Sequence, residues 1–381
     1  MKILKKILLN TLKAYKKRFP KVLSIEFSSA CNAKCIMCPQ PEMDRKKENM
    51  SMETLEKILD DCIGMPLKKI NLFWMGDSTV DKHMIEKFRM VRQKLPNVKL
   101  YLSTNSQLLG EDRSRKIIDE NLLDVINFDI DGFTRKTFES VRVKLDFQKV
   151  VDNVMFFINY NKEKRANIET RVTIIDMQPT KHEVKKFVEH WTPLVDDVNV
   201  NHYNTWLGTQ EERNYDSDDH FKIEHSNRYT ESTTEGFNFS CLHPWEEMVI
   251  GADGRVGLCC LDYELSAEIG DINKNTLKEI WQGDQVNMYR KKHDELKSRI
   301  GFTELLKVVQ SHASSYESAL VDLEEAASTS ASSDSNPAVF AIGGAALSGL
   351  GFIIDLASFS KLKFEKNYKS YDEKTKTYTF E

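Results

Sequence analysis

Three of the seven cysteines lie within eight residues, at Cys31, Cys35 and Cys38. This spacing of four and then three residues allows their thiolates to reach one metal centre from a single loop. A closed structural zinc site takes four protein ligands, so three thiolates leave one coordination position open. A cubane 4Fe–4S cluster held by three thiolates likewise keeps one iron free to bind another molecule. A zinc site whose fourth ligand lies elsewhere in the chain is the alternative.

The segment before the cysteines predicts the element that positions them. Residues 21–27 alternate apolar and polar side chains, a pattern typical of a strand. Residues 28–30 then turn the chain into the cysteine loop, and Pro39 and Pro41 close it. The predicted order is therefore a strand, a loop with three thiols, and an exit through proline.

Beyond this loop, strand-like and helix-like segments alternate as far as about residue 206. Five further strands are predicted at residues 69–74, 99–103, 125–129, 168–175 and 197–202. Helical patterns fall at residues 52–62, 83–95, 113–121, 147–163 and 181–190. Together with the first strand this makes six β/α units, which predict an α/β fold with a parallel sheet and outer helices. Right-handed connections would curl the sheet into a partial (β/α)6 barrel whose chemistry lies in the loops after the strands.

The Cys-x-x-x-Cys-x-x-Cys sequence after a first strand resembles the signature of the radical S-adenosylmethionine (radical SAM) superfamily. The resemblance covers about residues 20–290 and implies a 4Fe–4S cluster whose open iron chelates S-adenosylmethionine. It also implies a reducing donor such as flavodoxin or ferredoxin. Reductive cleavage would give a 5′-deoxyadenosyl radical that takes hydrogen from a peptide, sugar or small-metabolite substrate. Two rivals stay open: an iron–sulfur electron-transfer protein without radical chemistry, and a zinc-stabilised interaction module.

Loops after successive predicted strands resemble the cofactor contacts of this superfamily. Gly76 and Asp77 resemble a shortened Gly-Gly-Glu motif, whose backbone holds the methionine amino group. A side chain at Gly76 would then obstruct the approach of that backbone to the cofactor. Met75 replaces the first glycine of the motif, and the proline that follows it in the family is missing.

The later loops supply the remaining implied contacts. Ser103 and Asn105 resemble a contact to the ribose side of the cofactor. Asp129 takes the place of serine in a Ser-x-Asp-Gly…Arg pattern that Arg142 completes. Arg171, in the fifth predicted strand, could face the cofactor carboxylate. Each signal alone is weak, but in register after successive strands they reinforce one another.

A second group of cysteines begins at Cys241 and continues at Cys259 and Cys260. Between them lie a predicted strand at residues 247–250 and an Asp-Gly turn, which together indicate a hairpin. The hairpin would bring Cys241 near Cys259. The stretch from Cys241 to about residue 281 resembles the opening half of a SPASM or twitch domain, which implies a second Fe–S cluster.

This second group departs from the family pattern, because no cysteine follows Cys260. A complete cluster would need Asp262 or a histidine as a fourth ligand, or an iron filled by substrate. Adjacent residues of a strand point to opposite faces. Cys259 and Cys260 can therefore both be ligands only where the strand bends. A hairpin whose cysteines merely pack is the alternative.

The composition sets limits on the class of protein. A hydrophobic fraction of 40% and a charged fraction of 29% are typical of a globular protein. A net charge of -4 argues against a nucleic-acid partner. Cysteines that are clustered in a chain of this length indicate metal binding and a reducing, cytoplasmic compartment.

The sequence also predicts a division into parts. These are a basic amphipathic helix (1–19), the barrel (20–207), an acidic linker (208–236), a SPASM/twitch-like domain (237–292) and an unassigned helical and Gly-rich tail (293–381). The basic helix predicts either peripheral contact with an anionic membrane or packing on the barrel. In the tail, uncharged residues 338–354 predict a membrane span or a buried helix. Cys62, within a helical pattern, is predicted to be a buried structural thiol.

Overall fold

The computed structural model describes residues 19–204, 206 and 243–297, and the backbone of residues 368–372 and 377–380. The chain separates into two units, residues 16–297 and a second unit made of residues 1–15 and 298–381. In the second unit, strands Tyr368–Asp372 and Thr377–Phe380 pair antiparallel. The predicted basic helix, the linker, Cys241 and the uncharged segment 338–354 lie outside the described residues. Among the described residues, no helix is both long enough and apolar enough to cross a membrane.

The described strands of residues 16–297 form one large sheet and one small one. They are β1 (Val22–Ile25), β2 (Lys34–Cys35), β3 (Lys69–Asn71), β4 (Lys99–Thr104), β5 (Val125–Asp129), β6 (Arg142–Val143), β7 (Glu169–Asp176), β8 (Asp197–His202), β9 (Glu247–Ile250), β10 (Arg255–Gly257) and β11 (Glu268–Asp271). The large sheet has the order β11-β10-β9-β1-β3-β4-β5-β7-β8, and β2 pairs with β6 separately. All neighbours from β9 to β8 are parallel, which confirms the predicted parallel sheet.

Helices connect the strands along the chain. They are α1 (Met52–Cys62), α2 (Met84–Lys94), α3 (Glu111–Asp119), α4 (Arg135–Val141), α5 (Phe147–Lys164), α6 (Val184–Trp191), α7 (His243–Glu246), α8 (Leu277–Gln282) and α9 (Asp284–Lys297). Three short 3-10 helices lie at Gln40–Glu42, Ser78–Val80 and Lys181–Glu183. Strands β1, β3, β4, β5, β7 and β8 are the six predicted strands, and each of the first five is followed by a described helix. The partial barrel is therefore confirmed.

Capping side chains explain where several helices begin. The Ser51 hydroxyl accepts a hydrogen bond from the Thr54 amide, and α1 begins at Met52, directly after Ser51. The Asp146 carboxylate caps α5 in the same way. Helix α4 was not predicted, because seven residues show little periodicity. Cys62, at the end of α1, is buried in the core as predicted.

The hairpin near the second cysteine group continues the barrel sheet. Strand β9 is parallel to β1, with Ser24 opposite Val249, and β10 and β11 then add antiparallel. Gly254 has a φ of +89° in the turn between β9 and β10, a conformation that glycine adopts without strain. Hydrogen bonding across the sheet therefore fixes β9 beside the strand that leads into the cysteine loop.

Candidate active site

The cysteine loop lies at the carboxyl ends of the barrel strands, directly after β1. Strand β2 contains Cys35 and pairs antiparallel with β6, so that Cys35 lies opposite Arg142. The amide of Ile36 donates to the carbonyl of Val141 at 3.0 Å, and the amide of Cys38 donates to the carbonyl of Cys35 at 3.1 Å. Backbone pairing therefore fixes the loop against the segment that follows α4.

Side-chain donors point at two of the three sulfur atoms. Nδ2 of Asn105 lies 3.8 Å from Sγ of Cys31. A terminal guanidinium nitrogen of Arg142 lies 3.7 Å from Sγ of Cys35. Such donors stabilise a thiolate more than a thiol, because the hydrogen bond is stronger when the acceptor is charged. The surroundings of these sulfurs therefore fit metal ligands.

Burial opposes ionisation of the three thiols. Burial raises the pKa of Cys31 and of Cys38 to about 12, and it also raises the pKa of Cys35. Thiol ligands must be deprotonated, so a metal centre has to offset this cost. Among the described residues, no group of three or more His, Cys, Asp or Glu side chains could hold a single metal ion. Three cysteines in one loop, two of them with side-chain donors near the sulfur, fit the ligands of an Fe–S cluster.

Gly76 packs against the backbone that leads into the cysteine loop. A Cβ atom at this position would lie 2.1 Å from the carbonyl oxygen of Ser28, 2.5 Å from that of Ala30 and 2.7 Å from the carbonyl carbon of Ser29. All three are backbone atoms, so the loop itself would have to move. The sequence prediction explained this glycine by the approach of a cofactor. The structure adds a second reason, the support of the loop.

Asp77 ties three loops together. Its amide donates to the carbonyl of Ala30 at 3.0 Å. Its carboxylate accepts from the Thr79 amide (2.9 Å), the Thr104 hydroxyl (2.9 Å) and the Asn105 amide (2.8 Å). The side chain thus holds the loop after β3 against the loop after β4, and Asn105 is positioned beside Cys31 as a result.

A polar group on one face of β4, β5 and β7 contains two of the predicted residues. The Ser103 hydroxyl donates to the Asp129 carboxylate at 2.8 Å. Nδ2 of Asn127 donates to the Ser103 hydroxyl at 3.0 Å and to the Asp129 carboxylate at 2.8 Å. The Thr173 hydroxyl donates to Oδ1 of Asn127 at 2.8 Å. Burial raises the pKa of Asp129 to about 6. The strand ends therefore present hydroxyl, amide and carboxyl groups to one space.

Arg171 is placed differently from the other predicted cofactor-binding residues. It lies opposite Asn127, two residues before the end of β5 at Asp129. Its Nε donates at 2.7 Å to Glu169, which is nearer the amino end of β7, and its guanidinium carbon lies 5.9 Å from the ring centre of Tyr101. The guanidinium is thus directed away from the cysteine loop, and the structure does not bring Arg171 to the other six residues.

Cys259 and Cys260 lie in a turn rather than on a strand. Strand β10 ends at Gly257, and the Asp262 amide donates to the carbonyl of Cys259 at 3.2 Å. A hydrogen bond from the Cys260 thiol helps to lower the pKa of Cys259 to about 6. Strand alternation therefore does not keep these two sulfurs apart. The Asp262 carboxylate, predicted as an alternative ligand, accepts from two backbone amides of the next turn.

An aromatic and ionic junction joins this turn to the barrel loops. Nε1 of Trp74 donates to the carbonyl of Cys260 at 2.9 Å, and the guanidinium carbon of Arg45 lies 4.8 Å from the Trp74 ring centre. Nε of Arg45 donates to the carbonyl of Tyr263 at 2.7 Å, and its terminal nitrogens form two 3.0 Å hydrogen bonds to the buried Glu26 carboxylate. Sequence reasoning missed this junction, because Arg45 stands in a charged run that is typical of an exposed loop.

Comparisons with known proteins place this geometry in a family. The radical SAM superfamily model matches residues 25–192, and the model of the SPASM iron–sulfur cluster-binding domain matches residues 241–299. A curated relative from Pyrococcus furiosus is named tungsten-containing aldehyde ferredoxin oxidoreductase cofactor-modifying protein. It is 30% identical over 112 residues, which are 29% of this chain and 31% of the relative. The match thus spans under a third of that relative.

Solved structures share the fold. SuiB of Streptococcus suis, bound to the precursor peptide SuiA, is 13% identical with a TM-score of 0.55, over 71% of this chain and 66% of that one. The protein anSMEcpe with bound AdoMet is 20% identical with a TM-score of 0.53, over 71% of this chain and 79% of that one.

The fold, the cysteine loop and the two family matches define an iron–sulfur protein built on a partial β/α barrel. The chain belongs to the radical SAM superfamily and carries a SPASM domain. A 4Fe–4S cluster and S-adenosylmethionine are accordingly its cofactors. The SPASM match adds a second iron–sulfur region, as the sequence predicted.

Proposed function

We propose that this enzyme cleaves S-adenosylmethionine reductively at a 4Fe–4S cluster on Cys31, Cys35 and Cys38. The 5′-deoxyadenosyl radical formed in this cleavage would take a hydrogen atom from a peptide, sugar or small-metabolite substrate. The observation that carries the proposal is one loop with three thiols, one buried and two half-buried, packed against the ends of successive parallel strands. The chemistry that the bound cofactors supply is formation of a 5′-deoxyadenosyl radical.

The chain's own residues bind and orient the cofactor in this proposal. The proposed contacts are Gly76, Asp77, Ser103, Asn105, Asp129, Arg142 and Arg171. Six of them come from the loops and strand ends near the cysteines, which supports contact with one ligand. Arg171 would have to release Glu169 and turn toward the loop to join them. Polar groups of Ser103 and Asp129 offer hydrogen bonds of the kind that ribose hydroxyls accept and donate.

A second cluster at Cys241, Cys259 and Cys260 is the next part of the proposal. The turn that places Cys259 beside Cys260 supports it, and so does the lowered pKa of Cys259. The boundaries 20–207 for the barrel, 208–236 for the linker, 237–292 for the SPASM-like domain and 293–381 for the tail are proposed with it. The junction around Arg45 would keep this turn at a fixed place relative to β1.

The substrate class is argued from the relatives. One relative is named for modifying a cofactor, and one structural neighbour holds a precursor peptide. These names support a peptide or a small metabolite, and a flavodoxin or ferredoxin is the proposed electron donor. Substrates are set by sites rather than by folds.

Anaerobic reconstitution tests the function against its rivals. We expect about four irons and four sulfides at the first site, and a change in the EPR spectrum of the reduced cluster when S-adenosylmethionine is added. A cluster whose EPR spectrum does not change when S-adenosylmethionine is added would favour the electron-transfer protein. Zinc without iron in purified protein would favour the interaction module.

The second site needs its own measurement. A variant with Cys31, Cys35 and Cys38 all replaced by alanine should still show a cubane cluster by Mössbauer spectroscopy if the second site is real. A matched variant with Cys259→Ala added should lose that signal. Absence of iron from the triple variant would contradict the second cluster and leave the first site unaffected.

A further inference from the structure

Arg142 is held so that one end of its guanidinium faces a cluster ligand. Its Nε and one terminal nitrogen donate to Oδ2 of Asp131 at 2.9 and 2.5 Å. The remaining terminal nitrogen lies 3.7 Å from Sγ of Cys35. The Arg142 side chain is 11% exposed and that of Asp131 is 0% exposed. The contact is therefore made with little access for water.

Two independent features fix the direction of this guanidinium. Oδ1 of Asp131 accepts from the Ile175 amide at 2.6 Å, which holds the carboxylate against the end of β7. The backbone of Arg142 is the β6 partner of Cys35, so the sheet itself keeps the two residues side by side. A planar guanidinium that is bound on one edge presents its opposite nitrogen in a set direction. The donor near Sγ is thus a consequence of the fold.

The three sulfurs are not equivalent in their surroundings. Cys31 has the neutral amide of Asn105 at 3.8 Å, whereas Cys35 has a cationic donor. The Arg142–Asp131 pair is neutral as a whole, but its positive end is the end that faces the sulfur. Reduction adds negative charge to a cluster and its thiolates, so a buried dipole of this orientation favours the reduced state.

We propose that Arg142 sets the reduction potential of the cluster on Cys31, Cys35 and Cys38 through a charge-assisted hydrogen bond to the Cys35 sulfur. This role rests on the proposed function and differs from direct contact with S-adenosylmethionine. Asp131 acts through Arg142 and is a positioning residue. The consequence is a cluster that is easier to reduce by a physiological donor than the same cluster without this contact.

The test is an EPR-monitored redox titration of reconstituted protein without S-adenosylmethionine. Arg142→Lys keeps a cation near Asp131 but cannot hold the carboxylate with two donors and reach the sulfur as well. The double variant Asp131→Asn/Arg142→Gln removes both charges, so that no buried ion is left unpaired. Arg89→Gln is the matched control, because Arg89 forms a two-point ion pair with Glu120 on the surface.

We expect the reduction equilibrium to become about tenfold less favourable in both test variants, which is a shift of about 59 mV to lower potential for one electron. The control should match the unmodified protein. Unchanged potentials in the two test variants would overturn the proposal while the cluster itself stands. Loss of the cluster from both variants, with circular dichroism unchanged, would assign Arg142 to assembly of the loop and also overturn it. An unmodified protein without any cluster would instead refute the proposed function.

Discussion

Replacement of Gly76 by alanine tests how the cysteine loop is supported. The added Cβ would begin 2.1 Å from the carbonyl oxygen of Ser28, and real Cβ atoms essentially never approach within 3.0 Å. The backbone of residues 28–30 must therefore shift by roughly 1 Å. Because Cys31 is the next residue, this shift displaces the first cluster ligand.

The cost of this shift can be estimated from the contacts that it disturbs. The Ala30 carbonyl accepts a hydrogen bond from the Asp77 amide at 3.0 Å, and that bond would be lost or stretched. Loss of one buried hydrogen bond costs about 1 kcal/mol, and overpacking adds about 1–3 kcal/mol. We therefore expect the Gly76→Ala protein to lose about 2–4 kcal/mol of unfolding free energy.

The assay measures urea unfolding of the unloaded protein and iron content after reconstitution. Gly110→Ala is the control, because a Cβ there meets no atom within 4 Å. The Gly110→Ala protein should lose at most about 1 kcal/mol of unfolding free energy, because the residue that caps the helix is changed. It should bind iron normally. If Gly76→Ala retained full stability and full iron, and lost only S-adenosylmethionine binding, the loop-support explanation would be refuted in favour of cofactor approach alone.

Three further predictions concern other parts of the molecule. Trp74→Phe should cost about 1 kcal/mol through the lost hydrogen bond to the carbonyl of Cys260, and it should lower iron retention at the second site, as measured in protein without the first cluster. Lys87→Met should destabilise the fold by about 3–5 kcal/mol in urea, because it leaves the buried Asp81 carboxylate unpaired; a loss under 1 kcal/mol would contradict this. Asp129 has its pKa raised to about 6 by burial, so its contribution to stability is full below about pH 4 and is lost as the pH rises through about 6. The unfolding free energy of Asp129→Asn, relative to that of the unmodified protein, should therefore be higher at pH 7.5 than at pH 4.5. The same difference at both pH values would refute the raised pKa.

Local signals were sufficient to predict much of the fold. Helix α1 and strands β5 and β8 have the predicted bounds, because a capping serine or a short apolar alternation marks their ends. The clustering of Cys31, Cys35 and Cys38 predicted the centre of the site for the same reason. Each of these features is determined by residues that lie close together in the sequence.

The parts that sequence reasoning could not supply are the long-range contacts. The junction of Arg45 with Trp74 and the turn after β10 joins residues more than 180 positions apart in the chain. The direction of the Arg171 guanidinium is set by Glu169 on its own strand, which a motif match does not reveal. Whether a glycine such as Gly76 serves a ligand or a neighbouring loop depends likewise on what the fold places beside it.

The most direct test of the central claim is formation of 5′-deoxyadenosine by anaerobically reconstituted, dithionite-reduced protein. The unmodified chain should release 5′-deoxyadenosine and methionine from S-adenosylmethionine. Cys38→Ala should release neither, and Cys62→Ala, which alters a buried thiol away from the loop, should retain the activity of whatever fraction folds. Cleavage that persists in Cys38→Ala, or that is absent from an unmodified protein with a full cluster, would contradict the account.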